Sequence, residues 1–392
     1  MVCNIVRNTA LRYPESLRLL SDRTKHCKCL DPRDRVFALV SLMSGKTEHI
    51  KPNYAKSIRQ VYQEAALYDI KRSESLNILG LCNINAEQPN WPTWVPNFDV
   101  AGLASFISLS NASGASAPKM QLINERNLEV TGIHLATVRL VETLMLADTS
   151  IEDVIVSIQR VVSQNDLENA SYIGGGSTFD AYYRTLLCGW PTEQTLFGDW
   201  GLSFEKSREA LRNALLCEVP NDPCLSLFIH YIRGSICGRR LFTTEEGYVG
   251  LASEAAKPQD QVCILLGCET PMFLRSTENG QYQVVGEGYV QGVMDAEALL
   301  GPYPEYWRKA WDRDDHGDGI QMYRDTHTRE TTKHDPRLGP IPDEWQTLSH
   351  DKEKYFNLWL NVETEERTYR DPRMRPEALR KRGVNLRTFD LV

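Results

Sequence analysis

An α+β fold is what this sequence predicts: a helical N-terminal half packed on a small antiparallel β-barrel or sandwich, with a β-rich tail behind it. Three observations carry that prediction. Between Cys237 and Leu299, short apolar and β-branched runs alternate with turn residues. The runs are Arg240–Thr244, Tyr248–Ala252, Val262–Leu266, Met272–Ser276 and Gln281–Val285, and Glu246-Gly247, Pro258-Gln259-Asp260 and Asn279-Gly280 divide them. Asn-Gly between apolar runs is a strong hairpin signal, and strands this closely spaced form a meander that closes into a barrel or sandwich. Upstream, apolar residues recur at helical spacing in several blocks. Downstream, an internal repeat divides the tail.

In chain order, residues 1–100 read as mainly helical. His26-Cys27-Lys28-Cys29 groups soft ligands, but a zinc site takes about four, usually as two pairs, and no second pair stands at a matching spacing; no metal is expected. Asp31-Pro32 starts a helix: an oxygen at the cap, then proline where no amide is needed. Val36, Phe37, Leu39, Val40 and Met43 bury it, and a second helix from Ser57 turns Ile58, Val61, Tyr62 and Ala65 inward. The prolines of Trp91-Pro92-Thr93-Trp94-Val95-Pro96 exclude a regular element, so Trp94 either lines a pocket or plugs a gap.

Residues 101–118, rich in Ser, Ala and Gly, read as a linker or mobile loop. Residues 119–236 read as a strand hairpin followed by helices. Gly132 interrupts the alternation of Leu128, Val130, Ile133 and Leu135, which predicts a bulged strand. Ser150 with Asp153 resembles a capping box ahead of Ile151, Val154, Ile155 and Ile158. Gly174-Gly175-Gly176-Ser177-Thr178 lacks the lysine of a phosphate loop and reads as a turn capping the helix of Phe179, Tyr182, Tyr183 and Leu186. Helices at 204–217 and 223–235 follow, with His230 read as a core residue. The barrel is expected at 237–300 and the tail at 301–392.

The tail repeat sets Thr331–Arg337 against Arg367–Arg373, each ending in Asp-Pro-Arg, with Trp311 and Trp345 as the upstream tryptophans. This resembles a tandem pair of degenerate WW domains, small three-stranded sheets that grip proline-rich peptides. Lys333 and Tyr369 stand where a second tryptophan would complete each clamp. Asp312-x-Asp314-x-His316-Gly317 resembles the start of a calcium loop, but Tyr323 occupies the place of the bidentate glutamate, so it reads as an acidic surface loop. Residues 386–392 read as a terminal strand.

Two further blocks carry a family resemblance. Gly286 to Glu297 fits Gly-Glu-x-Tyr-Val-x-Gly-x-Met-Asp-x-Glu, and Asp31 to Leu39 fits Asp-Pro-Arg-Asp-x-Val-(Tyr/Phe)-Ala-Leu. Pro52-Asn53-Tyr54, Val61-Tyr62 and Trp94-Val95-Pro96 follow in matching order. Together they resemble fungal heterokaryon-incompatibility (HET) proteins. The resemblance implies that residues 1–100 are a remnant of the HET-domain helices and that the N-terminal, death-effector part of that domain is missing.

The composition is that of a globular chain: 392 residues, 42% hydrophobic, 24% charged, net charge −8. A net-negative chain excludes the basic footprint of a nucleic-acid binder. No run reaches the roughly 20 apolar residues of a membrane helix. Ten cysteines without a disulfide rhythm favour a reducing, cytoplasmic setting. No triad, metal cluster or cofactor fingerprint stands out, and no cofactor is expected. Three readings therefore stay open: HET-like self/non-self recognition or regulation through a protein partner; a cyclase-type (pericyclase- or Diels-Alderase-like) enzyme of a fungal secondary-metabolite pathway, acting on a small apolar metabolite by holding a reactive conformer; and a proline-peptide adaptor. The polar candidates for catalysis are Arg239, Arg240, Glu287 and Asp295, with Tyr248, Tyr289 and Trp94 for binding. The alternative for these polar groups is an arginine–carboxylate pair buried inside a packed β region.

Overall fold

The computed structural model describes residues 16–25, 27–40, 43, 50–84, 91–99, 107, 110–143, 150–188, 204–216, 223–313, 319–348 and 358–392. The mixed α+β architecture is as the sequence predicts. Helix α1 (Leu17–Thr24) starts at Ser16, whose Oγ accepts from the Leu19 amide at 3.2 Å. Helix α2 (Asp34–Val40) follows Asp31-Pro32-Arg33, and α3 (Ile58–Ser73) opens with a capping box between Ser57 and Gln60. A 3-10 turn, Asn77–Leu81, leads on to the tryptophan loop. Trp94 is fully buried and its Nε1 donates to the Arg126 carbonyl at 2.7 Å, so it plugs a gap.

Helices α4 (Ile151–Val161), α5 (Gln164–Asn169), α6 (Thr178–Leu187), α7 (Phe204–Leu216) and α8 (Pro223–Ile236) form a second helical block. Ser150, Ser163 and Ser177 cap the first three, each accepting from the amide three residues on: Asp153, Asp166 and Asp180. His230 is exposed on α8 rather than in the core, because Leu225, Phe228, Ile229 and Ile232 take the inward face.

Strands β1 (Met120–Leu122), β2 (Leu128–Thr143), β3 (Arg239–Thr244), β4 (Val249–Ser253), β5 (Gln261–Leu265), β6 (Met272–Ser276), β7 (Tyr282–Glu287) and β8 (Tyr289–Val290) come next, and β2 to β7 follow the predicted runs. Strand β2 spans 16 residues and changes partner along its length: its middle pairs with β5 and its last part with β3. It shifts register between His134 and Ala136, just past the interruption at Gly132. There a Cβ would run into the Ile264 carbonyl oxygen, so glycine is what lets the two backbones approach. The described part of the Ser/Ala/Gly-rich stretch expected as a linker is anchored: Asn111 donates to the Met294 carbonyl at 2.7 Å, and Ser116 Oγ accepts from the Gly267 amide at 3.0 Å.

After the one-turn helix α9 (Glu297–Leu300), the tail folds as two three-stranded antiparallel sheets, β9 (Trp307–Arg313) with β10 (Gly319–Asp325) and β11 (Thr331–Thr332), then β12 (Trp345–Leu348) with β13 (Leu358–Asn361) and β14 (Arg367–Thr368). The second turn of each uses one hydrogen-bond scheme: Asp325 Oδ1 accepts from His327 and Thr328, and Asn361 Oδ1 from Glu363 and Thr364. The amides of Trp307 and Trp345 donate to Pro304 and Pro342, so Trp307, not Trp311, is the counterpart of Trp345. Arg337 and Arg373 each fork onto the aspartate two residues earlier and donate through Nη1 to a carbonyl, Gly301 and Gly339 respectively. Asp31 and Arg33 make the same fork outside the repeat. The acidic loop read against a calcium site runs into residues 314–318, which lie outside the described residues.

The terminal strand β15 (Arg387–Leu391) then returns to the barrel, pairing antiparallel with β2 (Thr388 opposite Thr131) and parallel with β7 (Leu391 opposite Tyr282). It closes the circuit β2–β5–β6–β7–β15, while β3, β4 and β8 extend from β2 as an arm. Two segments outside 237–300 thus complete the barrel. Val130, Leu265, Leu274 and Phe389 share one core with Leu17, Val36, Tyr62 and Trp94 of the N-terminal helices. Leu241, Val249, Leu251 and Tyr289 of the arm share another with Ile158, Phe179, Tyr183 and Phe228 of the second helical block.

Candidate functional site

Glu287 ends β7 and points between the barrel and the N-terminal helices. Its Oε2 accepts from Arg18 Nη2 at 2.6 Å and from Thr270 Oγ1 at 3.2 Å; its Oε1 accepts from the Ile107 amide at 2.9 Å, with Arg239 Nη2 at 3.5 Å. The side chains of Arg18, Arg239 and Glu287 are 8%, 3% and 6% exposed. A carboxylate offers about four lone-pair directions, and four donors occupy them. It has none left for a substrate. The 3-10 turn comes close because residue 80 is glycine: a Cβ there would lie 2.6 Å from Glu287 Oε2. Nearby, burial pushes the Cys188 thiol up to about 11, with Arg239 opposing the rise and Glu287 adding to it.

The other sequence candidates do not join this cluster. Arg240 is half-buried and donates through Nη1 to the Ala256 carbonyl at 3.0 Å. Asp295 is half-buried and pairs with Lys309, while its carbonyl accepts from Arg337 Nη2 at 2.7 Å. Tyr289 is buried, its hydroxyl donating to Gln291 Oε1 at 2.6 Å, and burial raises its pKa. Trp94 sits in the N-terminal core, away from both.

Tyr248 leads to a different place. It lines a cleft of about 420 Å³ where α4, α5 and α6 face the β3–β4 hairpin. Tyr172 and Tyr182 line it too, with Arg139, Asp166 and Thr243, and Glu245 and Glu246 of the hairpin turn. Tyr172 ties the walls together: its hydroxyl donates to the Gln291 carbonyl at 2.8 Å and accepts from the Val249 amide at 3.1 Å. The turn at Gly174–Gly176 closes beside it, and Thr178 Oγ1 donates to the Ala170 carbonyl at 3.1 Å. No group of three or more metal-ligating side chains stands among the described residues, and none of their helices is long and apolar enough to cross a membrane.

Sequence reading missed Arg18, Tyr182, Thr243 and Arg139. Arg18 had a visible signal, a lone arginine inside Leu17-Arg18-Leu19-Leu20; the others had none.

Residues 176–301 match the family model of the Het-6 beta-barrel domain. The chain carries a HET-related domain. No curated protein matches it. The Het-6 barrel domain so delimited contains α6 to α8, the arm, β5 to β7 and α9, and with them Arg239, Glu287 and the hairpin side of the cleft. Strands β2 and β15, which close the circuit, lie outside the matched residues.

Proposed function

We propose that this HET-like protein works by contact with a protein partner, in fungal self/non-self recognition or its regulation, and not by catalysis. The observation behind this reading is the state of Glu287 and Arg239. They are the most suggestive pair of polar groups in the Het-6 barrel domain, and both are buried in a cluster whose carboxylate is bonded through both oxygens and joins barrel to helices. Such a cluster fixes the fold and leaves the surface to carry specificity. The test is a confrontation of two strains identical except for this gene, one wild type and one carrying a divergent or deleted copy. Recognition predicts a loss of viable fusion cells between them, and unaltered fusion would sink the proposal.

A second reading keeps the cyclase. It is favoured by the cleft, whose volume falls within the roughly 300–1,000 Å³ of small-molecule sites and whose walls present tyrosines. Under that reading, the deletion strain fuses normally and accumulates an uncyclised precursor.

A further inference from the structure

We propose that the cleft between α4–α6 and the β3–β4 hairpin binds a one- or two-ring aromatic molecule through an uncharged carbonyl oxygen. This stands apart from the recognition reading. The starting point is which polar groups lining the cleft already have a hydrogen-bond partner. Glu246 accepts from the Thr137 amide at 3.0 Å, Glu245 from Gln259 Nε2 at 3.3 Å, and Asp166 from Ser163 Oγ at 2.6 Å. Two hydroxyls have none. Thr243 is 7% exposed and its Oγ1 is buried without a hydrogen-bond partner. Tyr182 is 3% exposed, and its hydroxyl makes no hydrogen bond among the described residues. A buried hydroxyl left unbonded costs roughly 1–3 kcal/mol, so Thr243 Oγ1, with the unbonded Tyr182 hydroxyl lining the same cleft, marks a place where something else supplies the partner.

Arg139 adds a third donor. It is exposed at the cleft and forms no ion pair with the described residues. The two hydroxyls can donate or accept and Arg139 only donates, so an acceptor on the ligand is the one group that all three can meet. The charge of that acceptor follows from the rim: three carboxylates against one guanidinium make the cleft net negative and disfavour an anion. An uncharged carbonyl keeps the acceptor and avoids the repulsion. The ligand's body is set by the remaining wall, where Tyr172, Tyr248, Val161, Val162 and Val249 offer ring faces and apolar surface.

The experiment titrates the full chain, by calorimetry or ligand-observed NMR, with three probes of one shape: naphthalene carboxamide, naphthalene carboxylate and naphthylmethylammonium. The carboxamide should bind most tightly, and Thr243→Val and Tyr182→Phe should each weaken it about 3- to 10-fold, the loss of one hydrogen bond. Both variants keep shape and volume, and a melt that stays cooperative with no fall in midpoint separates lost binding from lost folding. The ammonium probe binding tightest overturns the assignment. So does carboxamide affinity that neither variant alters, or saturable binding by no probe.

Discussion

The Glu287 cluster and the cleft draw on the two ends of one strand, Arg239 and Thr243 of β3, and they treat buried polar groups differently. At Glu287 every carboxylate lone pair is met, by two arginines, a threonine and a backbone amide. In the cleft the buried Thr243 hydroxyl lacks a protein partner, and the Tyr182 hydroxyl makes no hydrogen bond among the described residues. The contrast teaches how to tell structure from function in a fold without a catalytic signature. A charge is the more conspicuous group in a sequence, yet the low dielectric that surrounds it makes an unmet carboxylate costly, and here both its oxygens are bonded. A hydroxyl is cheaper to leave open, and openness is what a ligand site requires.

Breaking the closed side should give the largest effect. Glu287→Leu removes the buried carboxylate that Arg18 and Arg239 both contact and should lower the free energy of unfolding by about 3–5 kcal/mol in urea titration. Adding Arg18→Met should recover part of that loss, because the uncompensated charge goes with it. A change below about 1 kcal/mol in the single variant would mean that the cluster is not sealed as its burial indicates. Gly80→Ala comes next. Its Cβ meets Glu287 Oε2 at 2.6 Å, an overpacking expected to cost about 1–3 kcal/mol. In a Glu287→Leu background the penalty should change, since the atom it collides with has gone; strict additivity of the two would refute the contact.

The thiol beside the cluster gives a pH test of the same sealing. Burial is the main cause that holds Cys188 up to about 11, and it likewise holds Cys263 and Cys268 up to about 12. Unfolded thiols ionise near about 8.5, so above that pH the unfolded chain releases protons that the folded chain keeps. The sign is fixed: stability is unaffected well below that value and falls as pH rises from it toward the folded values, by up to about 1.4 kcal/mol per unit for each thiol. Melting temperatures across this range, compared with a Cys188→Ala variant, should show a shallower alkaline decline in the variant. Parallel declines would show that Cys188 ionises as freely folded as unfolded.

Much of this was legible in the sequence, and the boundary is physical. The runs from Arg239 to Val290 declare themselves because strand alternation and turns such as Asn279-Gly280 are local. The serine caps are local too. Closure of the barrel is not: β15 meets β2 after more than two hundred intervening residues, and no spacing in the sequence announces the pairing. Glu287 was picked out, but its partner Arg18 lies 269 residues away, so whether its carboxylate was spent or available could not be read. The tail repeat was visible through its Asp-Pro-Arg triplets, while Trp311 was taken for Trp307 because only the turn geometry fixes the alignment. Thr243 and Tyr182 left no trace, since a threonine in a strand and a tyrosine on a helix look alike whether bonded or not.

The smallest expected effect bears on the open side, and its sign is what makes it useful. Most core substitutions destabilise. Thr243→Val exchanges an unbonded, buried hydroxyl for a methyl of nearly the same size and breaks no hydrogen bond, since Oγ1 makes none. It should therefore raise stability, by about 1 kcal/mol, read as an upward shift of the urea midpoint at constant slope. Thr185 is a control of the same type: its Oγ1 is also buried and unbonded, but it lies on α6 away from the cleft lining. Thr185→Val should stabilise to a similar extent and leave probe binding untouched. If Thr243→Val destabilises while Thr185→Val does not, water or another fixed partner already holds the Thr243 hydroxyl, and the cleft is as closed as the cluster at Glu287.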